Sequence, residues 1–363
     1  MNNSKAKAHF DEEEAILVSI DKLSSLNQPS KENTKQDLLD FWDGTDLLTK
    51  PDKPVDWLVE GFMPQFSVLD IGSPPGVGKT TLVNSLILAI TNGRKSWCGK
   101  KIVNGKVVIL GGEKSSEDAA ARDLKRIGEA LHPPRGTLLI DKNDSPIWEW
   151  NRNNYSWELT SYGQQMTEFL KVMKPILVVL DTSMAVARGS NQLDNPQQYS
   201  FGKAVMRWNR EIKSTTLMVS HTNQASNTQS LEWRLDYMSR AGGNGLPGAV
   251  RWICMMSILR ADDELAKKLN IEERARTEKI ICVGASKYNE IAPPDWNQRH
   301  PVIFKILEDG GLLLVMDGAE VKARINSTRV VANDKKRKSK VIEQVDNLSN
   351  EESSEEESEY GDW

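Results

Sequence analysis

The sequence predicts an α/β fold in which a mostly parallel, twisted sheet is flanked by helices. Short apolar runs alternate with helical patterns over residues 66–221, and a glycine-rich turn joins the first run to the first helix. A β-rich section follows this alternation and predicts a β-hairpin extension on the C-terminal side. Together these features favour one large α/β domain.

The buried strands are predicted from apolar runs that Gly, Pro or polar residues bound. These runs are FSVLDIG (66–72), KVVILGG (106–112), PILVVLD (175–181) and TTLMVSH (215–221). The helical patterns lie at 79–91, 116–131, 161–173 and 197–213. Because such alternation requires crossover connections, the sheet is expected to be mostly parallel and covered on both faces. The segment EDGG, between two later apolar runs, predicts the hairpin.

Composition divides the 363 residues into three parts. Residues 1–40 are predicted to be a disordered acidic extension, 41–328 the folded domain, and 329–363 a disordered tail with a basic run before an acidic terminus. Residues 1–44 and 351–363 carry net charges of −4 and −7, so the total of −4 leaves residues 45–350 at +7. A basic body suits a polyanionic partner, although solubility alone also explains this charge pattern.

Several classes of protein are disfavoured by what the sequence lacks. It contains no apolar run of about 18 residues, and its N-terminus has no apolar signal region, so neither a membrane span nor secretion is expected. Cys98, Cys254 and Cys282 are few and far apart, which predicts reduced thiols and no zinc site. A cytoplasmic location, in the producing cell or a host, is the expectation.

The turn SPPGVGKTT lies between a predicted strand and a predicted helix, which is the setting of a phosphate-binding loop. Gly76 and Gly78 allow backbone N–H groups to face phosphate oxygens, and the helix N-terminus adds a positive dipole. Lys79 can reach the β- and γ-phosphates, and the Thr80 hydroxyl can bind Mg²⁺. Ser73 stands where a glycine is usual, and Gly72 can share its role in the turn. The predicted nucleotide-binding set is Ser73, Pro74, Gly76, Val77, Gly78, Lys79, Thr80 and Thr81.

Three more polar side chains end predicted parallel strands and therefore face the same edge as this loop. Asp181 ends PILVVLD and is predicted to be a Mg²⁺ ligand. Glu113 follows KVVILGG and is predicted to be the general base for an attacking water, with a helix cap or a local ion pair as the alternative. His221 ends TTLMVSH and is predicted to contact the γ-phosphate.

Two long polar stretches follow Asp181 and His221 at the same edge. Long loops in this position are usually functional. Arg188, Arg234 and Arg240 lie in these stretches, and we predict that they contact a nucleic-acid backbone.

With these features in order, residues from about 45 to 325 resemble the RecA-like P-loop ATPases, most specifically the hexameric replicative helicases of the plasmid RepA type. Four segments carry the resemblance: PVDWLVEGFMP, DTSMAVARGSNQLDNP, SRAGGNGLPGAVRW and GASKYNEIAPPDW. The resemblance implies a ring of subunits that bind ATP and Mg²⁺ at their interfaces. It also implies that Arg251 is an arginine finger for the neighbouring site, with a structural surface arginine as the alternative. Lys287 matches a lysine of the family's C-terminal strand and is expected to assist at the nucleotide.

The leading functional hypothesis is therefore an ATP hydrolase that moves along single-stranded DNA as a homo-oligomer, expected to be a hexamer, in the replication of a phage, plasmid or similar replicon. A filament-forming recombinase of the RecA/Rad51 kind and a nucleotide-switched loader of another protein remain as alternatives. The acidic terminus EESSEEESEYGDW is similar to the tails with which replication proteins recruit partners, and a solvated tail is the simpler interpretation.

Overall fold

The computed structural model describes residues 48, 50, 51, 53–111, 117–128, 133–143, 145–189, 191, 194–222, 228–239, 245–287, 296–308 and 311–327. The predictions for residues 1–40 and 329–363 fall outside these ranges. Within them, no helix is both long enough and apolar enough to cross a membrane.

The described residues form strands and helices in alternation. The strands are β1 (Trp57–Val59), β2 (Met63–Pro64), β3 (Val68–Ser73), β4 (Ser96–Trp97), β5 (Lys100–Lys101), β6 (Val107–Leu110), β7 (Leu138–Ile140), β8 (Trp148–Asn151), β9 (Ser156–Leu159), β10 (Leu177–Asp181), β11 (Ala187–Arg188), β12 (Thr215–His221), β13 (Trp252–Ile258), β14 (Ile280–Lys287), β15 (Val302–Ile306) and β16 (Leu312–Met316). The helices are α1 (Lys79–Thr91), α2 (Glu117–Gly128), α3 (Ser161–Met173), α4 (Asn195–Ile212), α5 (Leu231–Arg234), α6 (Gly245–Ala249), α7 (Glu264–Leu269) and α8 (Glu272–Thr277), with a 3₁₀ turn at Tyr237–Ser239 and helical residues at 318–327.

The central sheet has the strand order β16-β15-β14-β13-β3-β12-β10-β6-β7. The six strands from β13 to β7 are parallel, and β14, β15 and β16 continue the sheet in antiparallel pairs. We call the edge where the parallel strands end the carboxyl edge and the opposite edge the amino edge. β3 lies between β12 and β13, so the loop that follows β3 emerges in the middle of the carboxyl edge.

The parallel strands are mostly apolar because both faces of the sheet are covered. One face packs against α1, whose residues are buried on almost every side, with Trp97, Trp296 and Phe304 beside it. The other face packs against α3 and α4, where Phe201 and Trp208 lie in the core. These two layers fix the strand ends on which the candidate site depends.

The predicted fold class is confirmed. The four predicted strands correspond to β3, β6, β10 and β12, and the four predicted helices correspond to α1 to α4 within a few residues. The predicted hairpin corresponds to β15 and β16, which pair antiparallel. The sequence interpretation missed the edge strand β7 and a separate three-stranded sheet of order β11-β8-β9.

Candidate active site

Strand register brings the predicted phosphate loop and two of the predicted polar side chains to one edge. Ser73, at the end of β3, pairs with His221, at the end of β12. On the other side of β12, Asp181 of β10 pairs with Val219. The carboxyl edge therefore holds the loop, the histidine and the aspartate on three neighbouring strands.

The loop between β3 and α1 has the backbone that its glycines predict. Gly76 and Gly78 have φ angles of 75° and 120°, in the range that favours glycine. Gly78 is also the N-cap of α1 and, as a glycine, has no side chain of its own that could cap the helix. The dipole of α1 favours negative charge at this end, where the loop turns into the helix.

Close packing adds a second requirement for glycine at position 78. A β-carbon at this position would overlap the Cδ1 atom of Ile306, at the end of β15. Val77 is buried, whereas Pro75 and Gly76 are exposed at the crown of the loop. The antiparallel extension of the sheet thus supports the phosphate loop from one side.

Lys79 is held inside the loop in this structure. Its side chain is only 8% exposed. Its Nζ donates to the Ser73 carbonyl oxygen at 3.0 Å and lies 3.2 Å from both the Ser73 Oγ and the His221 Nδ1. The hydroxyl of Ser73, at the position of the usual glycine, is thus an additional acceptor for the lysine. A phosphate oxygen could replace these acceptors with little movement of the ammonium group.

Nδ1 of His221 lies 3.2 Å from the Lys79 Nζ. Because an ammonium group only donates, Nδ1 is the acceptor in this contact, and Nε2 is the nitrogen left to carry the ring proton while the contact lasts. This tautomer can donate a hydrogen bond to a phosphate oxygen through Nε2. His221 is exposed at the carboxyl edge, on the strand beside the phosphate loop.

A buried carboxylate that the sequence interpretation missed lies beneath the loop. Asp70, fully buried in β3, accepts a hydrogen bond from the Ser220 hydroxyl in β12. Ser220 in turn lies 3.3 Å from the hydroxyl of Ser183, which follows β10. This network joins β3, which leads into the phosphate loop, to β12, which ends in His221, and to the residues that follow Asp181. A signal was present in the sequence, since FSVLDIG places a charged residue inside an apolar strand.

The side chains present at this edge fit a magnesium ion. Thr80 lies in the first turn of α1, and Asp181 ends β10. Hydroxyl and carboxylate oxygens are ligands that Mg²⁺ prefers, and it usually keeps waters and substrate phosphates as its remaining ligands. Among the described residues, no group of three or more His, Cys, Asp or Glu could hold a metal ion by itself. The roles of Thr80 and Asp181 as magnesium ligands remain predictions.

Glu113, the predicted general base, lies outside the described residues. The chain approaches it through Gly111, which has a φ of 121° at the end of β6. A β-carbon at Gly111 would lie 2.5 Å from the carbonyl oxygen of Asp181, so only glycine fits beside that strand end. The catalytic role of Glu113 remains a prediction.

Arg251 and Lys287 lie at the other end of the sheet. Lys287 pairs with Ile253 in β13, and Ile253 pairs with Asp70 near the start of β3, so both cations belong to the amino edge. One chain therefore does not bring them to its own phosphate loop. Arg251 is exposed, whereas the Lys287 ammonium donates to the Pro247 carbonyl oxygen. Burial, and secondarily the nearby Arg251 charge, lowers the pKa of Lys287 below its ordinary value.

The three arginines that were predicted to contact nucleic acid have different positions. Arg188 is exposed in β11 and makes an ion pair with Glu149 at 3.0 Å. Arg240 lies outside the described residues.

For Arg234 the prediction is wrong. Its side chain is 2% exposed and binds both carboxylate oxygens of Asp263, at 2.5 and 2.7 Å. It also donates to the Ser257 hydroxyl and to the Ile258 carbonyl oxygen. All of these partners belong to the fold, so this guanidinium is not available to a nucleic acid.

A second lysine contacts the phosphate loop and was missed in the sequence. Lys279, which directly precedes β14, donates from Nζ to the Gly76 carbonyl oxygen at 2.6 Å. No local pattern marks this lysine, because the contact depends on the antiparallel return of β14 to the carboxyl edge. Its ammonium contacts a loop carbonyl, whereas Lys79 lies inside the loop.

Comparison with known proteins assigns the chain to a family. The profile of a family described as AAA domain, AAA_25, matches residues 32–227, which is more than half of the chain. The chain belongs to this family of AAA domains. The match includes the phosphate loop, Asp181 and His221, so the carboxyl edge is that of a P-loop ATPase family. Among curated proteins no relative matches.

Solved structures resemble this AAA-domain chain in fold. A solved ATPase domain matches with a TM-score of 0.50 at 11% identity, over 75% of this chain and 96% of that one. The KaiC-like protein PH0186 from Pyrococcus horikoshii OT3 matches with a TM-score of 0.45 at 15% identity, over 72% of this chain and 100% of that one. A DnaB-like replicative helicase, described with its primase interactions, matches with a TM-score of 0.49 at 12% identity, over 75% of this chain and 66% of that one.

Proposed function

We propose that this protein is an ATP hydrolase that moves along single-stranded DNA as a ring of identical subunits, expected to be six, and separates strands in the replication of a phage, plasmid or similar replicon. Membership of an AAA-domain family and the geometry of the carboxyl edge support nucleotide hydrolysis. The four family-like sequence segments, from PVDWLVEGFMP to GASKYNEIAPPDW, favour the helicase type.

One observation carries the proposal of a ring. The phosphate loop lies at the carboxyl edge, and the cation pair Arg251 and Lys287 lies at the amino edge of the same sheet. Within the described residues, a single chain therefore places its phosphate loop and the proposed arginine finger, Arg251, at opposite edges of the sheet. Head-to-tail contact between copies joins the two halves, and such contacts close into rings or continue into filaments.

The residues of one subunit would then act on ATP in defined roles. Loop amides from Gly76 onward bind phosphate oxygens. The Lys79 ammonium leaves its contacts with Ser73 and His221 and binds oxygens of the β- and γ-phosphates instead. Thr80 and Asp181 would hold Mg²⁺, which when bound neutralises charge on the β- and γ-phosphates. Glu113 accepts a proton from the attacking water, and His221 donates from Nε2 to the γ-phosphate. Arg251 of a neighbour stabilises the charge of the transition state.

Mixing two inactive variants tests this arrangement directly. Lys79→Ala removes the cation of the phosphate loop but keeps Arg251, and Arg251→Ala keeps that cation but removes the proposed finger. If subunits combine at random in equal amounts, roughly a quarter of the interfaces pair an intact loop with an intact finger, so hydrolysis should return to about that fraction of the wild-type rate. Steady-state ATP hydrolysis at increasing mixing ratios measures the recovery.

The controls separate the outcomes. Each variant alone should hydrolyse ATP at no more than about 1% of the wild-type rate, because one charge-stabilising donor contributes about 10²–10³-fold. A mixture that stays inactive, although mass photometry shows mixed oligomers, would refute the role of Arg251 in a neighbour's site. Negative-stain images with ATP and single-stranded DNA distinguish closed rings from the open filaments of a recombinase.

Translocation requires its own measurement. Wild-type protein should hydrolyse ATP faster with single-stranded DNA than without it, and should separate a forked duplex with an ATP dependence. Normal hydrolysis without any DNA stimulation or unwinding would instead favour the nucleotide-switched loader. Recruitment of a replication protein by the acidic terminus stays a prediction.

A further inference from the structure

A continuous series of aromatic rings runs from the core to the surface through the small sheet β11-β8-β9. Neighbouring ring centroids lie 5.0–6.5 Å apart along this aromatic ladder, which consists of Trp208, Trp148, Phe201, Trp157, Trp150 and Tyr155. Edge-to-face and tilted pairs at these distances attract beyond the burial of their area. The inner end is fully buried, so the outer rings rest on a rigid base.

The outer end of the ladder is open to solvent. Tyr155 is 77% exposed, and Trp150, which pairs with Trp157 across the β8–β9 hairpin, is half-buried. Tyr155 has a φ of 52°, which is uncommon for a bulky residue and carries strain. The hairpin thus holds an aromatic ring at the surface in a costly conformation.

A cavity of about 310 Å³ lies beside these two rings. Its described lining consists of Trp150, Arg152, Tyr155, Gly189, Asn191 and Gln197. This described lining has one cation and no carboxylate. A larger cavity of about 680 Å³ elsewhere carries both signs of charge in its wall, with the carboxylates of Glu232, Asp262, Asp263 and Glu264 and the cations of Arg260, Lys268 and Arg299. The charge in the described lining of the smaller cavity is positive only, which suits a polyanion.

The chemistry of this cavity matches a single-stranded nucleic acid. Aromatic faces stack on bases of any sequence, an arginine contacts the phosphate backbone, and amide side chains can bond to base edges. We propose that a base of single-stranded DNA stacks on Tyr155 and Trp150 while Arg152 contacts an adjacent phosphate. The inference rests on the proposed function, in which single-stranded DNA is the partner.

The position of the cavity connects it to the nucleotide site. Gly189 and Asn191 lie on the segment that leaves β10 after Asp181, and Gln197 lies in the first turn of α4 at the end of that segment. Ser183 of the same segment lies beside Ser220, in the network beneath the phosphate loop. A base in this cavity would therefore contact the segment that begins at the magnesium-ligand candidate.

The test compares two oligomers that differ only in their bases. Full-length protein is titrated against fluorescent oligo(dT) of roughly 20 nucleotides and against an abasic strand of equal length, with fluorescence anisotropy as the readout. Tyr155→Ala should bind oligo(dT) about ten-fold more weakly and the abasic strand unchanged, and Tyr155→Phe should restore the preference. Arg152→Ala should weaken both strands and lower the slope of log K against log salt by about 1.

Tyr199→Ala is the matched control, because Tyr199 is a half-exposed tyrosine on α4 that does not line the cavity. It should leave both affinities unchanged. The inference fails if wild-type protein prefers oligo(dT) and Tyr155→Ala keeps that preference. It also fails if Tyr155→Ala weakens the binding of oligo(dT) and of the abasic strand equally, or if Tyr199→Ala weakens the binding of oligo(dT) as much as Tyr155→Ala does. Wild-type protein that binds only oligo(rU) overturns the choice of DNA. Wild-type protein that binds no strand refutes the proposed function itself.

Discussion

The two edges of the central sheet hold their charged groups in opposite ways. At the carboxyl edge, Lys79 is buried and bound to Ser73 and His221 of its own chain. At the amino edge, Arg251 is exposed beside a second cation, Lys287, and makes no ion pair with the described residues. A like-charged pair costs stability unless an anion joins it, whereas Lys79 already has acceptors within its own loop. The two edges thus differ in exposure and in charge: one holds a buried lysine among acceptors, and the other holds two neighbouring cations, of which Arg251 is exposed.

The largest effect should come from the lysine inside the phosphate loop. Lys79→Ala removes the cation that would contact the β- and γ-phosphates, so ATP turnover should fall by about 10³-fold or more while the fold is kept. Lys279→Ala is the matched control at the same edge, since Lys279 contacts the loop through the Gly76 carbonyl oxygen. Its turnover should stay within about three-fold of wild type. Equal losses in both variants would mean that general positive charge, and not the place inside the loop, decides turnover.

A buried arginine near the carboxyl edge should matter for stability instead of DNA binding. Arg234→Met leaves Asp263 as an unpaired buried charge, which should cost about 3–5 kcal/mol in urea unfolding. Arg188→Ala, which breaks an exposed ion pair, should change the stability by less than about 1 kcal/mol.

The double variant Arg234→Met with Asp263→Leu checks the cause of this loss. It removes both charges, so much of the lost stability should return. If Arg234→Met has the same free energy of unfolding as wild type but binds DNA poorly, the assignment of Arg234 to the fold is incorrect.

The sequence was sufficient to predict the carboxyl edge because its signals are local. Each strand is a mainly apolar run, Asp181 and His221 end two of these runs, and Lys79 follows the glycine-rich turn after the first. The small sheet was missed because its alternation in WEWNRNNYSWEL is short and its third strand, Ala187–Arg188, pairs with a distant part of the chain. A more careful count of alternate aromatic residues would have indicated β8 and β9.

Whether an individual arginine is buried or exposed could not be predicted from the sequence, and the reason is physical. Arg234 and Arg188 both lie in polar stretches after a strand that ends at the carboxyl edge. Only the tertiary structure shows that Asp263 meets the first and Glu149 the second, one in the core and one at the surface. Whether a charged side chain is buried depends on partners that are distant in the sequence, and local sequence patterns do not identify those partners.

Two glycines of the phosphate loop should differ in their tolerance of a side chain. Gly76→Ala adds a methyl group with no atom within 4 Å, so the backbone φ of 75° is the source of strain that remains. The variant should lower the free energy of unfolding by about 1 kcal/mol. Gly78→Ala combines a φ of 120° with overlap on Ile306, and should cost about 2–3 kcal/mol and weaken nucleotide binding. Urea unfolding and titration with a fluorescent ATP analogue measure the two effects. Adding Ile306→Val to Gly78→Ala should recover part of the loss, and no recovery would leave backbone strain as the whole cause.

The smallest expected effect is the change in melting temperature of Arg251→Ala. This change also tests whether Arg251 stabilises its own chain. Burial and the Arg251 charge lower the pKa of Lys287, so the protonated lysine opposes folding. This unfavourable contribution is full below the folded-state pKa and disappears as the pH rises to the ordinary lysine value of about 10.4. Arg251→Ala should raise the Lys287 pKa and, at neutral pH and low salt, raise the melting temperature by roughly 1–2 °C.

Calorimetry at two salt concentrations, with NMR titration of ¹³C-methylated lysines, would measure both changes. The gain in melting temperature should shrink at about 1 M salt, where the screening length is about 3 Å. A lower melting temperature for Arg251→Ala would show that Arg251 stabilises its own chain. Lost hydrolysis together with unchanged or gained stability would support a role for Arg251 in the site of a neighbouring subunit, because the loss of activity could not then come from a weakened fold.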